Sequence, residues 1–277
     1  MICKENSIIV IVTYNPEASL WIALRHYKTL ADHVIIVDNG SSESPKLNEP
    51  SIEIIYSKEN KGIAWGLNVG IHKALSYNPE WIITFDQDSI PAENIWEVYN
   101  DVLAKYNGRK TIGLMCGGFA LETDKALLPA QWKESIVLIT SGMAHHVSVF
   151  EKVGLYNEAM FIDNVDFEYV MRTSLAGFAT LRVQNDVIRH KIGSPLVKKI
   201  GPFTVESSNH NEFRRYYQGR NQIYLTRQFL FKFPSEILNF NYYFFCKVFP
   251  RMLLVERPLR SKLCALFKGF RDGFRLD

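Results

Sequence analysis

Residues 81–88, Trp-Ile-Ile-Thr-Phe-Asp-Gln-Asp, constrain this chain more than any other stretch. Ile82, Ile83 and Phe85 make a short apolar run of β-forming residues, and it ends abruptly in Asp86-Gln87-Asp88. Pro91 is expected to open a helix just beyond. A buried strand that delivers two carboxylates to its carboxyl end is costly as a purely structural device, because unpaired carboxylates lose their hydration. A divalent cation with a diphosphate on its far side would satisfy both. Hard oxygen ligands suit Mg²⁺ or Mn²⁺, which keep positions open for water and phosphate oxygens. Taken alone, Asp-x-Asp also reads as a strand followed by an acidic, helix-capping turn.

The rhythm around this stretch decides the fold class. Ser7 to Thr13 is a continuous β-branched run, as expected of a strand buried on both faces. Tyr14-Asn15-Pro16 stops it, with Asn15 placed to cap and Pro16 to enter the first turn of a helix from Glu17 to about Leu30. His33 to Val37 is a second strand, ending in Asp38-Asn39-Gly40-Ser41-Ser42. Ile52 to Tyr56 is a third. Asn60-Lys61-Gly62 then leads into a helix from Ala64 to about Tyr77, and the Trp81 strand is fourth. Strand and helix in alternation predict a mostly parallel, doubly wound α/β sheet with right-handed crossovers.

Ligands of such sheets bind at the carboxyl ends of the strands. The polar candidates sit there: Thr13, Tyr14 and Asn15 after the first strand, Asp38 and Asn39 after the second, Asp86, Gln87 and Asp88 after the fourth. Gly62 and Gly66 flank the start of a helix whose N-terminus favours an anionic group, and Asn60 and Asn68 are further candidates for the ligand-binding site. Asp38 can accept a hydrogen bond from a base imide, and it is equally ordinary turn chemistry. Gly66 reads as a tolerated helix glycine. No G-x-G-x-x-G follows the first strand and no G-x-x-x-x-G-K-[ST] occurs anywhere, so a dinucleotide oxidoreductase and a P-loop NTPase are poorly supported.

Four segments, Thr13-Tyr14-Asn15, Val37-Asp38-Asn39-Gly40-Ser41, the run from Asn60 to Ile71, and Phe85 to Pro91, resemble in order and spacing the motifs of the inverting family 2 glycosyltransferases of the GT-A fold. Within that family the combination resembles bacterial rhamnosyltransferases of surface polysaccharide synthesis, over roughly residues 7 to 225. The resemblance implies a dTDP-L-rhamnose donor, Asp38 at the pyrimidine, Asp86 by the ribose and diphosphate, and Asp88 on Mg²⁺ or Mn²⁺. It also implies a general base on the helix that follows Phe161, at an acidic residue six positions before an arginine. Asp166 and Arg172 match, with Asp163 in reserve; Val165 stands where the family more often has an acid. A histidine beyond the base helps hold the metal in related members, and His190 is the match.

Elsewhere, Ile112 to Cys116, Ile136 to Thr140 and a short segment around Thr180 to Val183 are predicted strands. Ser141-Gly142-Met143-Ala144 would let an acceptor sugar approach the backbone. His145 and His146 are adjacent, so they cannot readily share a metal, and both read as structural. Lys191, Lys198 and Lys199 read as a solvated basic loop. The expected organisation is a catalytic domain over 1–210, divided near 110 into donor and acceptor halves, and a helical region over 211–277. There Lys and Arg outnumber Asp and Glu, and basic amphipathic helices from Asn211 onward suit a membrane interface, packing on the domain, or a homodimer contact.

The net charge of +3 does not argue for a nucleic-acid partner, and none is expected. The four cysteines form no Cys-x-x-Cys pair, the N-terminus is not that of a signal peptide, and no run is long enough to span a bilayer. These point to a cytoplasmic enzyme, peripheral at most on the inner membrane, acting on a lipid-linked saccharide. The competing readings are a transferase using a UDP-sugar, a sugar-1-phosphate nucleotidyltransferase, and a non-catalytic sugar-nucleotide binder. The second lacks its phosphate loop, and the third would be expected to have lost an acid among Asp86, Asp88 and Asp166.

Overall fold

The computed structural model describes residues 1–121, 126–190 and 196–276, with the side chains of His190 and Ile200 outside the description. Ser7–Thr13 forms β1, and all of it is buried. Its β-branched residues are stiff at χ1 and pack well on a pleated surface. Parallel strands flank it on both sides, β2 (His33–Asp38) and β4 (Trp81–Asp86), and β3 (Ile52–Tyr56) extends the sheet beyond β2. The register sets Thr13 beside Asp38 and Val12 beside Asp86. The three polar strand ends therefore share one edge of the sheet.

Helices α1 (Ser19–Leu30) and α2 (Ile63–Leu75) make the crossovers. The α2 helix lies close on β1 because Gly66 and Gly70 face it: a Cβ at Gly66 would come 2.6 Å from Val12 Cγ1, and one at Gly70 2.3 Å from Val10 Cγ1. Gly66 is thus a packing residue, not merely a tolerated one. Beyond β4 the sheet turns mixed. Its full order is β3-β2-β1-β4-β8-β6-β9-β5, with β7 also on β9, where β5 is Ser89–Pro91, β6 Ile112–Ala120, β7 Trp132–Glu134, β8 Met143–His146 and β9 Ala179–His190. β8 runs antiparallel to both β4 and β6, and helices α4 (Ser148–Val153) and α5 (Val165–Leu175) follow it in the chain. One core of aliphatic and aromatic side chains, among them Ile11, Tyr27, Phe85 and Leu181, lies between the sheet and its helices.

Four local expectations are corrected. Pro91 does not open a helix. It ends β5, opposite Ile188, and helix α3 (Ile95–Lys105) starts after Asn94. β5 is the last strand of its sheet, so the proline's missing N–H costs no second ladder bond. Ile136 to Thr140 is not a strand, because the place beside β4 is taken by Met143–His146. The short strand expected near Thr180 is the first third of a twelve-residue strand. Asn15 does not cap α1: at φ 47° its side-chain oxygen accepts from the Ser42 N–H and hydroxyl instead.

The chain divides into two compact units, Met1–Glu158 with Val165–Lys191, and Ala159–Asn164 with Ile192–Asp277. The second unit holds the antiparallel pair β10 (Leu196–Ile200) and β11 (Phe203–Ser207), then α6 (Glu212–Phe229), α7 (Pro234–Tyr243), a π-helical turn (Phe244–Val248), α8 (Phe249–Val255) and α9 (Leu259–Gly273). Lys198 and Lys199 lie on β10 and are exposed; Lys191 is outside the described residues. Within this unit Glu256 is fully buried between Arg215 and Lys262, with Lys262 Nζ 3.0 Å away.

Candidate active site

The carboxyl ends of β1, β2 and β4 are tied together through side chains. Gln87 reaches across to β1: its Oε1 accepts from Tyr14 N at 2.8 Å and its Nε2 donates to Tyr14 O at 3.4 Å. The Asp86-Gln87-Asp88 turn is thereby fixed against Tyr14-Asn15. Asn15 in turn donates its backbone N–H to the Ser41 hydroxyl at 2.7 Å. Asn39 bridges to the loop before α2, donating to Asn60 Oδ1 at 3.2 Å and Gly62 O at 3.0 Å and accepting from Lys61 N at 3.0 Å. Asn60 Oδ1 also takes the Gly62 N–H at 2.9 Å.

Asp38 is fully buried. Its carboxylate is satisfied by hydroxyls: Ser44 donates to Oδ2 at 2.5 Å, and Ser41 and Thr13 donate to Oδ1. Each carboxylate oxygen has two lone pairs, so acceptor capacity remains beside Ser44. Ser41 and Ser44 are partners that sequence motifs alone do not single out. The signal was there, in a hydroxyl-rich turn directly after an acid that a buried strand end must satisfy.

Asp86 and Asp88 are both partly exposed. Their charges converge on Tyr27: burial first, then Asp86 and Asp88, push its phenol well above the usual range. Two carboxylates on one turn concentrate negative potential and offer hard oxygen donors, which fits a divalent cation that keeps most of its waters. Among the described residues no three His, Cys, Asp or Glu side chains form a metal cluster. His190 closes β9 opposite Ser89, beside the same turn, and its side chain is outside the described residues.

Opposite the β4 end lies Ser141, whose Oγ accepts the Asp86 N–H at 3.2 Å. The buried Cys116 thiol is 3.5 Å from Ser141 O. Burial, with smaller contributions from the charges of Asp166 and Asp86, pushes that thiol up to about 12. Cys116 therefore marks a point within electrostatic reach of both carboxylates, one from β4 and one from helix α5 (Val165–Leu175). Asp166 lies in the first turn of α5, and its Oδ1 accepts from Phe167 N at 3.0 Å.

The profile described as glycosyl transferase family 2 covers residues 8–107. The dTDP-rhamnosyl transferase RfbF of Shigella flexneri is 30% identical over 248 residues, covering 81% of each chain. The chain belongs to glycosyltransferase family 2. S. aureus TarS 1–349 in complex with UDP-GlcNAc has the same fold, with a TM-score of 0.63 and 13% identity over 98% of this chain and 81% of that one. The mannosyltransferase PcManGT from Pyrobaculum calidifontis, in complex with GDP-Man and Mn²⁺, follows at a TM-score of 0.51 and 12% identity over 98% and 74%. The mixed sheet is thus the GT-A arrangement of this family.

Other candidates fall outside this cluster in the family 2 chain. Asn68 is 6% exposed and its amide is committed to Tyr156 and Glu158, holding the segment that precedes residue 159. Arg172, six positions after Asp166, pairs with Glu168 at 2.7 Å and also donates to Val153 O and Leu155 O. Glu168 is almost wholly buried. Arg172→Ala should therefore destabilise the fold by about 3 kcal/mol, because it strands a buried carboxylate. Pairing it with Glu168→Leu should recover most of the loss, as read by urea denaturation. In the second unit, Asp163 has φ 64° and is gripped by Arg214, whose Nε and Nη2 reach its two oxygens at 3.0–3.2 Å. Asn221 on α6 donates to the carbonyls of Met160, Ile162 and Asp163, holding this left-handed stretch.

His145 is structural. It is fully buried, its Nδ1–H donates to Ile82 O at 3.0 Å, and its Nε2 therefore accepts from the Tyr156 hydroxyl at 2.7 Å. Burial lowers its pKa to about 4. The unfolded chain takes up a proton here below about pH 6.5 and the folded chain does not. Stability is thus full above that pH and is lost as the pH falls toward 4, by about 3 kcal/mol. His145→Gln, which does not titrate, should flatten this dependence in denaturation curves taken at neutral and acid pH. His146 bonds only locally, its Nδ1 lying 2.7 Å from the Ser148 hydroxyl.

Proposed function

We propose that this family 2 enzyme transfers L-rhamnose from dTDP-β-L-rhamnose to a hydroxyl of a lipid-linked or oligosaccharide acceptor, with inversion, in bacterial O-antigen or capsule synthesis. The donor reading rests on the resemblance to RfbF along most of both chains. The mechanistic reading is supported by the positions of two acids, Asp86 at the end of β4 with its N–H on Ser141 and Asp166 in the first turn of α5, both near enough to the buried Cys116 thiol for their charges to act on it.

Asp166 accepts the acceptor hydroxyl's proton as that oxygen forms its bond to the anomeric carbon. The bond to the dTDP oxygen breaks on the opposite face, and the electron pair leaves with the diphosphate. Positive charge on the ring peaks at the transition state, as at other glycosyl centres. Asp88, with Asp86 and His190 as further ligands, would hold Mg²⁺ or Mn²⁺, which when bound offsets the charge of the departing diphosphate. Thr13, Tyr14, Asn15 and Gln87 shape the donor's floor. Asn39, Asn60 and Gly62 hold the loop at the α2 N-terminus against it. A pyrimidine N–H reaching Asp38 uses the acceptor capacity left beside the Ser44 hydroxyl.

The test is turnover with defined donors. Release of dTDP from dTDP-β-L-rhamnose, suppressed by a chelator and giving an α-linked product by NMR, is the expected result. Turnover of UDP- or GDP-sugars with dTDP-rhamnose untouched would discard the rhamnose donor. A β-linked product would discard the single displacement.

A further inference from the structure

The second unit carries an exposed apolar and basic surface to which the proposed transfer assigns no role. Through α7, the π-helical turn and α8, Ile237, Phe244, Met252 and Val255 face inward and are buried. The neighbouring stripe is Leu238, Tyr242, Phe245 and Leu253, at helical spacing, and every one of these is exposed, Tyr242 at 57%. The stripe continues onto α9. Phe270 lies 5.8 Å from Phe245 and 5.7 Å from Phe267, which is itself 55% exposed. Lys247 Nζ sits 6.0 Å from the Tyr242 ring.

The charge of this face is predominantly basic. Between residues 231 and 276 eight Lys and Arg side chains are exposed, including Lys247, Arg251, Lys268 and Arg271. The acids of the same stretch are Glu256, which is buried, and Glu236 and Asp272, which are half-buried; one exposed acid, Glu206 of β11, shares a groove with Lys247 and Arg251 and leaves the cations in clear excess. Two copies meeting through this face would oppose cation to cation, so charge complementarity disfavours a second chain. A partner that supplies both anions and an apolar layer meets both features at once. No helix among the described residues is long and apolar enough to cross a membrane, so such contact lies in the plane of the surface.

We propose that the exposed face of α7–α8 and α9 docks on an anionic lipid surface, with Tyr242, Phe245 and Phe267 entering the headgroup boundary and Lys247, Arg251 and Lys268 meeting lipid phosphates. Polybasic contact of this kind falls off with salt, and each cation near the surface contributes about a fivefold change in binding.

The experiment is co-sedimentation of the full chain with vesicles of phosphatidylcholine alone or mixed three to one with phosphatidylglycerol. Binding to the mixed vesicles, at least about tenfold stronger than to phosphatidylcholine and weakened by salt, is expected. Lys247→Glu with Arg251→Glu, and separately Phe245→Ser with Phe267→Ser, should each reduce it by about tenfold or more. Retained dTDP binding by both variants would show that they remain folded and keeps this result separate from the donor reading. Equal binding to the two vesicle types, or none to either, would overturn the proposal. So would dimerisation in sedimentation equilibrium that the same substitutions abolish, since that assigns the face to a second copy.

Discussion

Asp166→Asn is expected to lower sugar transfer by about three orders of magnitude while leaving donor affinity within about twofold. The amide preserves shape and the hydrogen bond from Phe167 N, so helix α5 should stay intact. What is lost is the capacity to take the acceptor's proton. Because that proton moves only as the new bond forms, the loss falls on kcat and not on donor binding. Asp163→Asn provides the contrast. Both Asp163 oxygens are engaged by Arg214, so its removal should act on the stability of the 159–164 segment and cost less than tenfold in transfer, by the size of one charge-assisted contact. Full activity in the Asp166 variant together with none in the Asp163 variant would move the base to Asp163.

Asp88→Asn should weaken metal-dependent donor binding. The turn that carries Asp88 is tied down by Gln87 and by Ser141, so the isosteric substitution leaves the backbone in place and removes the ligand charge. Loss of one anionic ligand from a site built on two carboxylates should weaken Mg²⁺ or Mn²⁺ by about tenfold to a hundredfold, with dTDP affinity falling in parallel. Asp86→Asn should show the same sign. In calorimetric titrations, metal dependence left unchanged in Asp88→Asn would remove Asp88 from the metal site.

These two expectations rest on parts of the chain that differ in how plainly the sequence shows them. The parallel half of the sheet was legible because each strand is a β-branched run ended by polar turn residues, and nothing but a buried parallel strand fits such a run between helices. The later strands were less so. Ile136–Thr140 has strand composition, yet the neighbour of β4 is Met143–His146, and which segment wins is decided by pairing between distant residues. Pro91 misled for a similar reason, since only tertiary context shows that β5 has one partner and can tolerate it.

Within the site, the acids themselves were readable and their partners were not. The Asp38 hydroxyl cage, the Gln87 bridge to Tyr14 and the Asp163–Arg214 pair each join residues far apart in the chain, apart from the local Ser41 and Ser44. The pairing of Arg172 with Glu168, four residues away, could have been read from helical spacing alone. Asn68 shows the opposite failure. It stands in a motif stretch, but its burial against Tyr156 makes it a strut between α2 and the segment ahead of α5.

The central claim, a dTDP-sugar donor held with a divalent metal at Asp86-Gln87-Asp88, is tested most directly by calorimetric titration of the intact chain with dTDP, UDP and GDP in the presence and absence of Mg²⁺. In such titrations dTDP should bind in preference to the other two, Mg²⁺ should strengthen the binding, and Asp88→Asn should remove the metal effect. Tight UDP or GDP binding with dTDP ignored, or no binding of any nucleotide by folded protein, would contradict that claim.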